Sequence, residues 1–356
     1  MTKVAVLGAG INGLACAVRI QEKYPEVQVT IFANEFTPDT TGDGSGGLWN
    51  PYLCGNTSGN LLTKWGIETF QYIHELWKEG GYDISLIPMY ELFRKERHLP
   101  QHNWTKSVFG YRTLGQKQLD YLNSLSTVKY VAGRMYTTFV VYPPTILNHL
   151  FQKFIKGNGK VIRIKLSSLD DSCLDSYDVV VNCTGLGARY LVPDSNVFPI
   201  RGQIMKMDAP WITHTIIDED TGHYIIPNTH NCVLGGTNQK HNYNYSLDNE
   251  DTHVPSNAGL IKHWVGLRPG RSELRLEAED RAGRLYIHNY GHDYCNTEAS
   301  DDNIMILLVS LLSMGDDSHL LSGGSSPRLP AISIKISWPL DSQLKRSQRN
   351  LNAGMM

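Results

Sequence analysis

The sequence predicts an α/β fold, and three observations predict it. A short apolar strand at the start of the chain, Val4-Ala5-Val6-Leu7, feeds a Gly-x-Gly-x-x-Gly turn at Gly8, Gly10 and Gly13. The turn opens a helix running to about Lys23, and a second strand follows at Gln28–Phe32. Far downstream, Asp178-Val179-Val180-Val181-Asn182-Cys183 is apolar on both faces, as a buried parallel strand is, and it ends at Thr184-Gly185. Strand, glycines, helix and strand in that order are Rossmann-like, and they point to a dinucleotide.

Each part of the turn has a physical task. Gly8 permits the tight turn, Gly10 lets backbone N–H groups approach a pyrophosphate, and Gly13 lets the helix pack closely on the strand. The pyrophosphate then lies at a helix N-terminus, where unpaired N–H groups and the dipole favour an anion. The second strand ends Ala33-Asn34-Glu35, leaving Glu35 or the side-chain carbonyl of Asn34 to grip an adenosine ribose. Next come Phe36-Thr37-Pro38-Asp39-Thr40-Thr41 and Gly44-Ser45-Gly46-Gly47-Leu48-Trp49-Asn50-Pro51. Hydroxyls followed by adjacent glycines let backbone lie against a phosphate chain and a flat ring. The apolar Leu48-Trp49 pair argues against a solvated linker.

Further along, apolar side chains at helical spacing predict a helix over 61–79, stopped by Gly80-Gly81, and strand-like segments near Ser85–Phe93. Pro143-Pro144 opens another helix through Phe154, Gly157-Asn158-Gly159 turns the chain, and Lys160–Lys165 reads as a strand. Thr184-Gly185 ends its strand where open α/β sheets bind ligands. The nucleotide domain is therefore discontinuous, with a second domain inserted in it.

Composition narrows the classes. The 33 basic and 35 acidic side chains nearly cancel, so neither nucleic acid nor an anionic membrane is an implied partner. Six cysteines (Cys16, Cys54, Cys173, Cys183, Cys232, Cys295) show no metal-ligand spacing. The opening strand leaves no secretory signal, which points to a reducing intracellular compartment. The longest wholly uncharged apolar run, Ile304 to Met314, is too short to span a bilayer.

These blocks resemble the D-amino-acid oxidase and D-aspartate oxidase family. The matching residues are Gly8-x-Gly10-x-x-Gly13, Phe36-Thr37-Pro38 with Thr40-Thr41, and Gly47-Leu48-Trp49-x-Pro51-Tyr52. They continue with Val181-Asn182-Cys183-Thr184-Gly185, Arg201-Gly202-Gln203, Asp208-Ala209-Pro210-Trp211 and Tyr224-Ile225-Ile226-Pro227. Last are Leu234-Gly235-Gly236-Thr237, Gly266-Leu267-Arg268-Pro269 and His288-Asn289-Tyr290-Gly291-His292. The resemblance implies a Rossmann-like FAD-binding domain with an inserted α+β substrate domain built on a mainly antiparallel sheet. On that division, 1–52, 141–192 and 280–292 form the FAD-binding domain, 53–140 and 193–279 the substrate domain, and 293–356 a divergent, poorly ordered tail.

The resemblance also implies a chemistry. The family binds FAD, passes hydride from the substrate Cα to the flavin, and reoxidises the flavin with O2 to give H2O2. The imino acid then hydrolyses to a 2-oxo acid and ammonia. Arg268 matches the arginine whose planar fork takes the substrate α-carboxylate, and Tyr224 the tyrosine whose hydroxyl donates to it. By the same register Gly8, Ala9, Gly10, Ile11, Asn12 and Gly13 hold the pyrophosphate, and Asn34 with Glu35 the ribose. Thr40, Thr41, Gly46, Gly47 and Leu48 line the flavin chain and ring, Leu166 offers backbone near the adenine, and Thr184-Gly185 closes the phosphate side. No metal is implied.

The chain also departs from the family. Asn34 stands for an aspartate, and Gly42 interrupts the threonine run. Thr237-Asn238-Gln239-Lys240 and the short segment between His214 and Tyr224 are similar to the D-aspartate branch. Yet Ile217 and Asn238 stand where that branch has arginines, leaving His223 or Lys240 to face an acidic side chain. An acidic D-amino acid is thus the expected substrate, with a neutral one as the alternative. Between Asn249 and Trp264 the chain lacks roughly a small helix of ~10 residues. After His292 the family's glycine-rich loop and final helix, which lie against the flavin, are replaced by Asp293-Tyr294-Cys295-Asn296 and an unrelated tail. A non-catalytic scaffold with impaired FAD binding is therefore a further alternative. The chain ends Ala353-Gly354-Met355-Met356, without the Ser-Lys-Leu-type peroxisomal address, so a cytoplasmic location stands beside the family's peroxisomal one.

Overall fold

The computed structural model describes residues 1–50, 56–252, 258–281 and 283–292. The expectations for the 293–356 tail and for Pro51-Tyr52 lie outside the described residues, as does part of the shortened Asn249–Trp264 segment. The chain begins with β1 (Lys3–Leu7), α1 (Ile11–Lys23), β2 (Gln28–Ala33), α2 (Gly59–Glu79) and β3 (Ile84–Phe93). It continues through β4 (Phe109–Thr113), α3 (Gln116–Ser124), β5 (Ala132–Val141), α4 (Pro143–Lys156), β6 (Lys160–Arg163) and β7 (Val179–Asn182). Then come α5 (Ala188–Leu191), β8 (Phe198–Asp208), β9 (Thr215–Asp218), β10 (His223–Pro227) and β11 (Cys232–Gly235). The last are β12 (Gln239–Lys240), β13 (Gly259–Gly270), β14 (Arg275–Arg281) and β15 (Arg284–Tyr290).

Among the described residues these strands form two sheets. The first has the order β14-β15-β7-β1-β2-β6. Its neighbours from β15 to β6 run parallel, and β14 is antiparallel to β15. The second has the order β12-β8-β11-β10-β9-β3-β5-β4, with β13 paired along β8. Its pairings are antiparallel except β3 with β9. The fold is thus α/β, a Rossmann-like parallel sheet joined to an α+β portion with a mainly antiparallel sheet. The first sheet draws its strands from both ends of the described chain, because parallel neighbours need crossover connections.

Local sequence explains the elements that carry the site. Helix α1 buries Gly13, Leu14, Cys16, Ala17 and Val18 on one face. Pro143 and Pro144 start α4, where their missing N–H groups cost nothing. Gln21 ties the two helices by donating to the carbonyls of Phe154 (3.2 Å) and Gly157 (2.9 Å). Strand β6 stops at Arg163, two residues short of the sequence expectation, although Ile164 N still donates to Ala33 O at 2.9 Å. Leu166 packs on the cluster of Ala5, Leu7, Phe32, Leu169, Leu174, Val180 and Tyr286. Trp49 is buried edge-on against Phe70 (4.9 Å between centroids) and Trp104 (5.8 Å). Burying so large an apolar side chain contributes about 2–3 kcal/mol and pins the chain that precedes it. Among the described residues no helix is long and apolar enough to cross a membrane.

Candidate active site

The C-terminal edge of the parallel sheet gathers most of the residues expected to hold a dinucleotide. Gly8 follows β1 with φ +101°, and a Cβ there would lie 2.5 Å from Cys183 O. A Cβ at Gly13 would lie 1.9 Å from Gly8 O, so neither position admits a side chain. Gly10 differs: nothing lies within 4 Å of the Cβ it lacks, and the backbone is open there. Thr184 lies beside Gly8, and its hydroxyl donates to Asn182 Oδ1 at 2.7 Å. Gly185, with φ +54°, continues the turn. Asn34 and Glu35 follow β2 and are exposed, with the Asn34 carbonyl accepting from Arg163 Nη1 at 2.9 Å. His292 follows β15 and meets Asn12 at the start of α1, Nδ1 to Nδ2, at 3.0 Å.

The loop from Thr37 to Asn50 connects the two sheets. Asp43, 2% exposed, accepts from Thr37 Oγ1 (2.5 Å), Thr40 N (2.9 Å) and Thr40 Oγ1 (2.6 Å). The Thr40 hydroxyl is thus spent on the loop itself, and Thr41 is exposed. Lys206 Nζ donates to Asp43 O at 3.0 Å, and burial, then the nearby Lys262, push its pKa down. A Cβ on Gly44 would lie 1.8 Å from Trp264 Nε1, and one on Gly266 would lie 3.8 Å from Thr41 Cγ2. Gly46 O accepts from Asn228 at 2.8 Å. Gly47, with φ +72°, leaves no room for a Cβ against Val141 O, and Leu48 bridges to Val140. The loop is therefore clamped from β5, β8 and β13 at once.

Tyr224 and Arg268 share one face of the antiparallel sheet. Residues opposite one another in paired strands project to the same side, as do alternate residues along a strand. Arg134 pairs with Glu91, Glu91 with Ile217, Ile217 with Tyr224, and Tyr224 with Gly235. Leu234 pairs with Met205, so Gly235 lies on the face of Ile204, Gly202 and Ile200. Arg268 pairs with Ile200 from one side of β8 and Lys240 from the other. His223 alternates with Tyr224 and projects from the opposite face. The Tyr224 ring lies across Gly235, where a Cβ would sit 2.3 Å from Cζ and 2.5 Å from Oη. Arg268 reaches across Gly202, whose missing Cβ would lie 3.6 Å from Cζ, and donates to Thr237 O at 3.3 Å. Pro269, the next residue, has Cγ 3.6 Å from the Cβ position of Gly185, which brings β13 to the dinucleotide edge. The connection between β9 and β10 is a tight turn, with Thr221 N and Gly222 N donating to Asp218 O (3.3 and 2.8 Å).

The roles of several residues of this region escaped sequence reasoning. Glu91 is fully buried and paired with Arg134, and it accepts from Tyr136 Oη (2.6 Å) and Asn50 Nδ2 (3.2 Å). Burial alone would lower the Arg134 pKa, but Glu91 beside it raises it above the ordinary arginine value. Arg201 and Gln203 flank the Gly202 floor and point the other way. Arg201 donates to Ser246 O (2.7 Å), Asn244 O (3.0 Å) and Gln203 Oε1 (2.7 Å), fixing the loop after β12. Only Asp43 carried a readable signal, the Thr-x-x-acid spacing of a capping box at Thr40.

The turn suits a dinucleotide: Gly8 and Gly13 are closed to side chains, Gly10 is open, and the buried Asn12 Oδ1 has no hydrogen-bond partner. Residues 3–296 match the family described as FAD dependent oxidoreductase, DAO. A D-amino acid oxidase of Dugesia ryukyuensis is 34% identical over 312 residues, covering 81% of this chain and 91% of that one. A human D-aspartate oxidase is 34% identical over 309 residues, covering 82% and 89%. The solved glycine oxidase from Geobacillus kaustophilus superposes with a TM-score of 0.67 at 16% identity, covering 88% of this chain and 93% of that one, a likeness of fold. The chain therefore belongs to the DAO family of FAD-dependent oxidoreductases, and is an enzyme of D-amino-acid oxidase type with FAD as its cofactor.

Proposed function

We propose that the chain oxidises D-amino acids with O2, releasing a 2-oxo acid, ammonia and hydrogen peroxide, and that acidic D-amino acids are preferred. FAD, when bound, supplies the hydride acceptor and the site at which O2 is reduced. The protein's part is to bind, orient and exclude water. Gly8 to Gly13, with Thr184-Gly185, would hold the pyrophosphate, Asn34 and Glu35 the ribose, Thr41 and Gly46 to Leu48 the flavin, and the backbone at Leu166 the adenine. Thr40 serves through its bond to Asp43, which shapes that loop.

The observation that carries this reading is the placement of Arg268 and Tyr224 over two glycines on one sheet face, with Pro269 against the dinucleotide edge. A planar guanidinium and a phenol on one sheet face suit a carboxylate, the guanidinium as a fork and the phenol as a donor. Lys240 supports the acidic preference, since it shares the face of Arg268 while His223 does not. A substrate carboxylate buried without such a cation costs several kcal/mol. Ile217, 5% exposed and opposite Tyr224, supports the neutral reading instead.

A peroxide assay separates the two. D-Aspartate or D-glutamate should show a larger kcat/KM than D-alanine and D-methionine, and Lys240→Met should abolish the difference. Larger values for both neutral substrates make the enzyme a neutral D-amino-acid oxidase. Purified chain that holds no flavin and makes no peroxide leaves only the non-catalytic scaffold.

A further inference from the structure

Asn12 and His292, 280 positions apart in the chain, meet in a single contact, amide nitrogen to ring Nδ1 at 3.0 Å. The contact sits where α1 begins and β15 has just ended, on the dinucleotide edge. His292 is 8% exposed, its Nε2 has no partner, and the buried Oδ1 of Asn12 has none either. Orphaned buried polar atoms cost about 1–3 kcal/mol each, so two beside one turn call for a reason. Burial holds the ring neutral, with its pKa down at about 4.

A neutral imidazole has one N–H, and an amide can present either its oxygen or its NH2 to it. In one arrangement the amide NH2 donates to Nδ1, and the amide oxygen, in the first turn of α1, is left without a donor. In the other, Nδ1–H donates to the amide oxygen, and the NH2 is left to donate. An anion at a helix N-terminus is repelled by the first and bound by the second.

We propose that Asn12 donates its side-chain NH2 to the FAD diphosphate and that His292, as its Nδ1–H tautomer, is the positioning residue that turns the amide that way. His292 acts through Asn12 and makes no contact with the cofactor itself. The proposal rests on FAD being the cofactor and is independent of which amino acid is oxidised.

The test is titration of the full chain, freed of flavin, with FAD followed by flavin fluorescence, and with ADP and adenosine as competitors. Asn12→Ala should weaken FAD and ADP by about tenfold or more, the scale of one hydrogen bond to a charged group, and leave adenosine unchanged. Asn12→Asp should weaken FAD and ADP further, since it removes the donor and adds a negative charge. His292→Ala should weaken FAD in the wild-type background and add nothing to Asn12→Ala. FAD binding of Asn12→Ala equal to wild type overturns the proposal. So does a His292→Ala effect that persists in full on top of Asn12→Ala, or an equal loss of adenosine affinity. Should His292→Ala fail to fold by circular dichroism, the Asn12→Ala and Asn12→Asp titrations decide.

Discussion

The phenol ring of Tyr224 occupies the space that any side chain at position 235 would take, with Oη 2.5 Å from the Cβ that Gly235 lacks. The two residues are direct partners across β10 and β11, so one strand supplies the hydroxyl and its neighbour supplies the gap. Gly235→Ala should therefore push the ring off its seat. Expected are a raised KM for every D-amino acid and an unchanged FAD dissociation constant, because the dinucleotide edge is untouched. Steady-state kinetics beside a flavin titration check this; an unaltered KM removes Tyr224 from the substrate site.

Arg268 carries the larger share of carboxylate binding on the proposed reading. Arg268→Ala should lower kcat/KM by about 2–5 kcal/mol equivalent, the scale of a buried charge losing its partner. Arg268→Lys should recover only part, since an ammonium lacks the planar fork. Near-normal kinetics in Arg268→Ala refute the assignment.

The Tyr224 hydroxyl should act in orientation rather than proton transfer. Tyr224→Phe is expected to weaken substrate binding by about 1 kcal/mol, one hydrogen bond, with hydride transfer largely kept. Stopped-flow flavin reduction slowed by several orders of magnitude would demand a chemical role instead.

Asp43 holds the loop that, on the proposed reading, lines the flavin. Asp43→Ala removes the acceptor for Thr37, Thr40 N and the Thr40 hydroxyl together. A stability loss of about 1–3 kcal/mol is expected, with weaker FAD binding beside it. Urea unfolding of the flavin-free chain and a flavin titration measure the two. A variant with wild-type FAD affinity shows that the loop holds its shape without the carboxylate.

His292 gives the fold a pH dependence of defined sign. Burial holds its pKa at about 4 in the native state, against about 6.5 for the free ring. Between those values the unfolded chain binds a proton that the native ring refuses, so stability falls as pH drops from 6.5 and levels off below 4. The loss from this ring is on the order of 3 kcal/mol. His102, His149 and His288 are also lowered by burial and form a common background. Urea midpoints at pH 7 and 4.5 should therefore converge more closely in His292→Gln than in wild type. An equal fall in both clears His292 of the effect.

What the sequence by itself determined is what local chemistry determines. Gly8 and Gly13 are legible because a positive φ and a close backbone approach exclude every other residue at those two points. Strand β7 is legible because three valines in a row, Val179 to Val181, can be buried only on both faces, and α1 because its apolar face repeats at helical spacing. Arg268 and Tyr224 were named only through family register, since Leu-Arg-Pro and Tyr-Ile-Ile carry no local mark of a ligand. The tertiary structure decided that they share a face, that Gly202 and Gly235 lie beneath them, and that Lys240 joins that face while His223 leaves it. It also decided the partners of Asp43 and Lys206, the Glu91–Arg134 pair and the meeting of Asn12 with His292. The physical reason is range: strand register and crossover packing bring together residues tens to hundreds of positions apart, and no local periodicity encodes which side chains will meet.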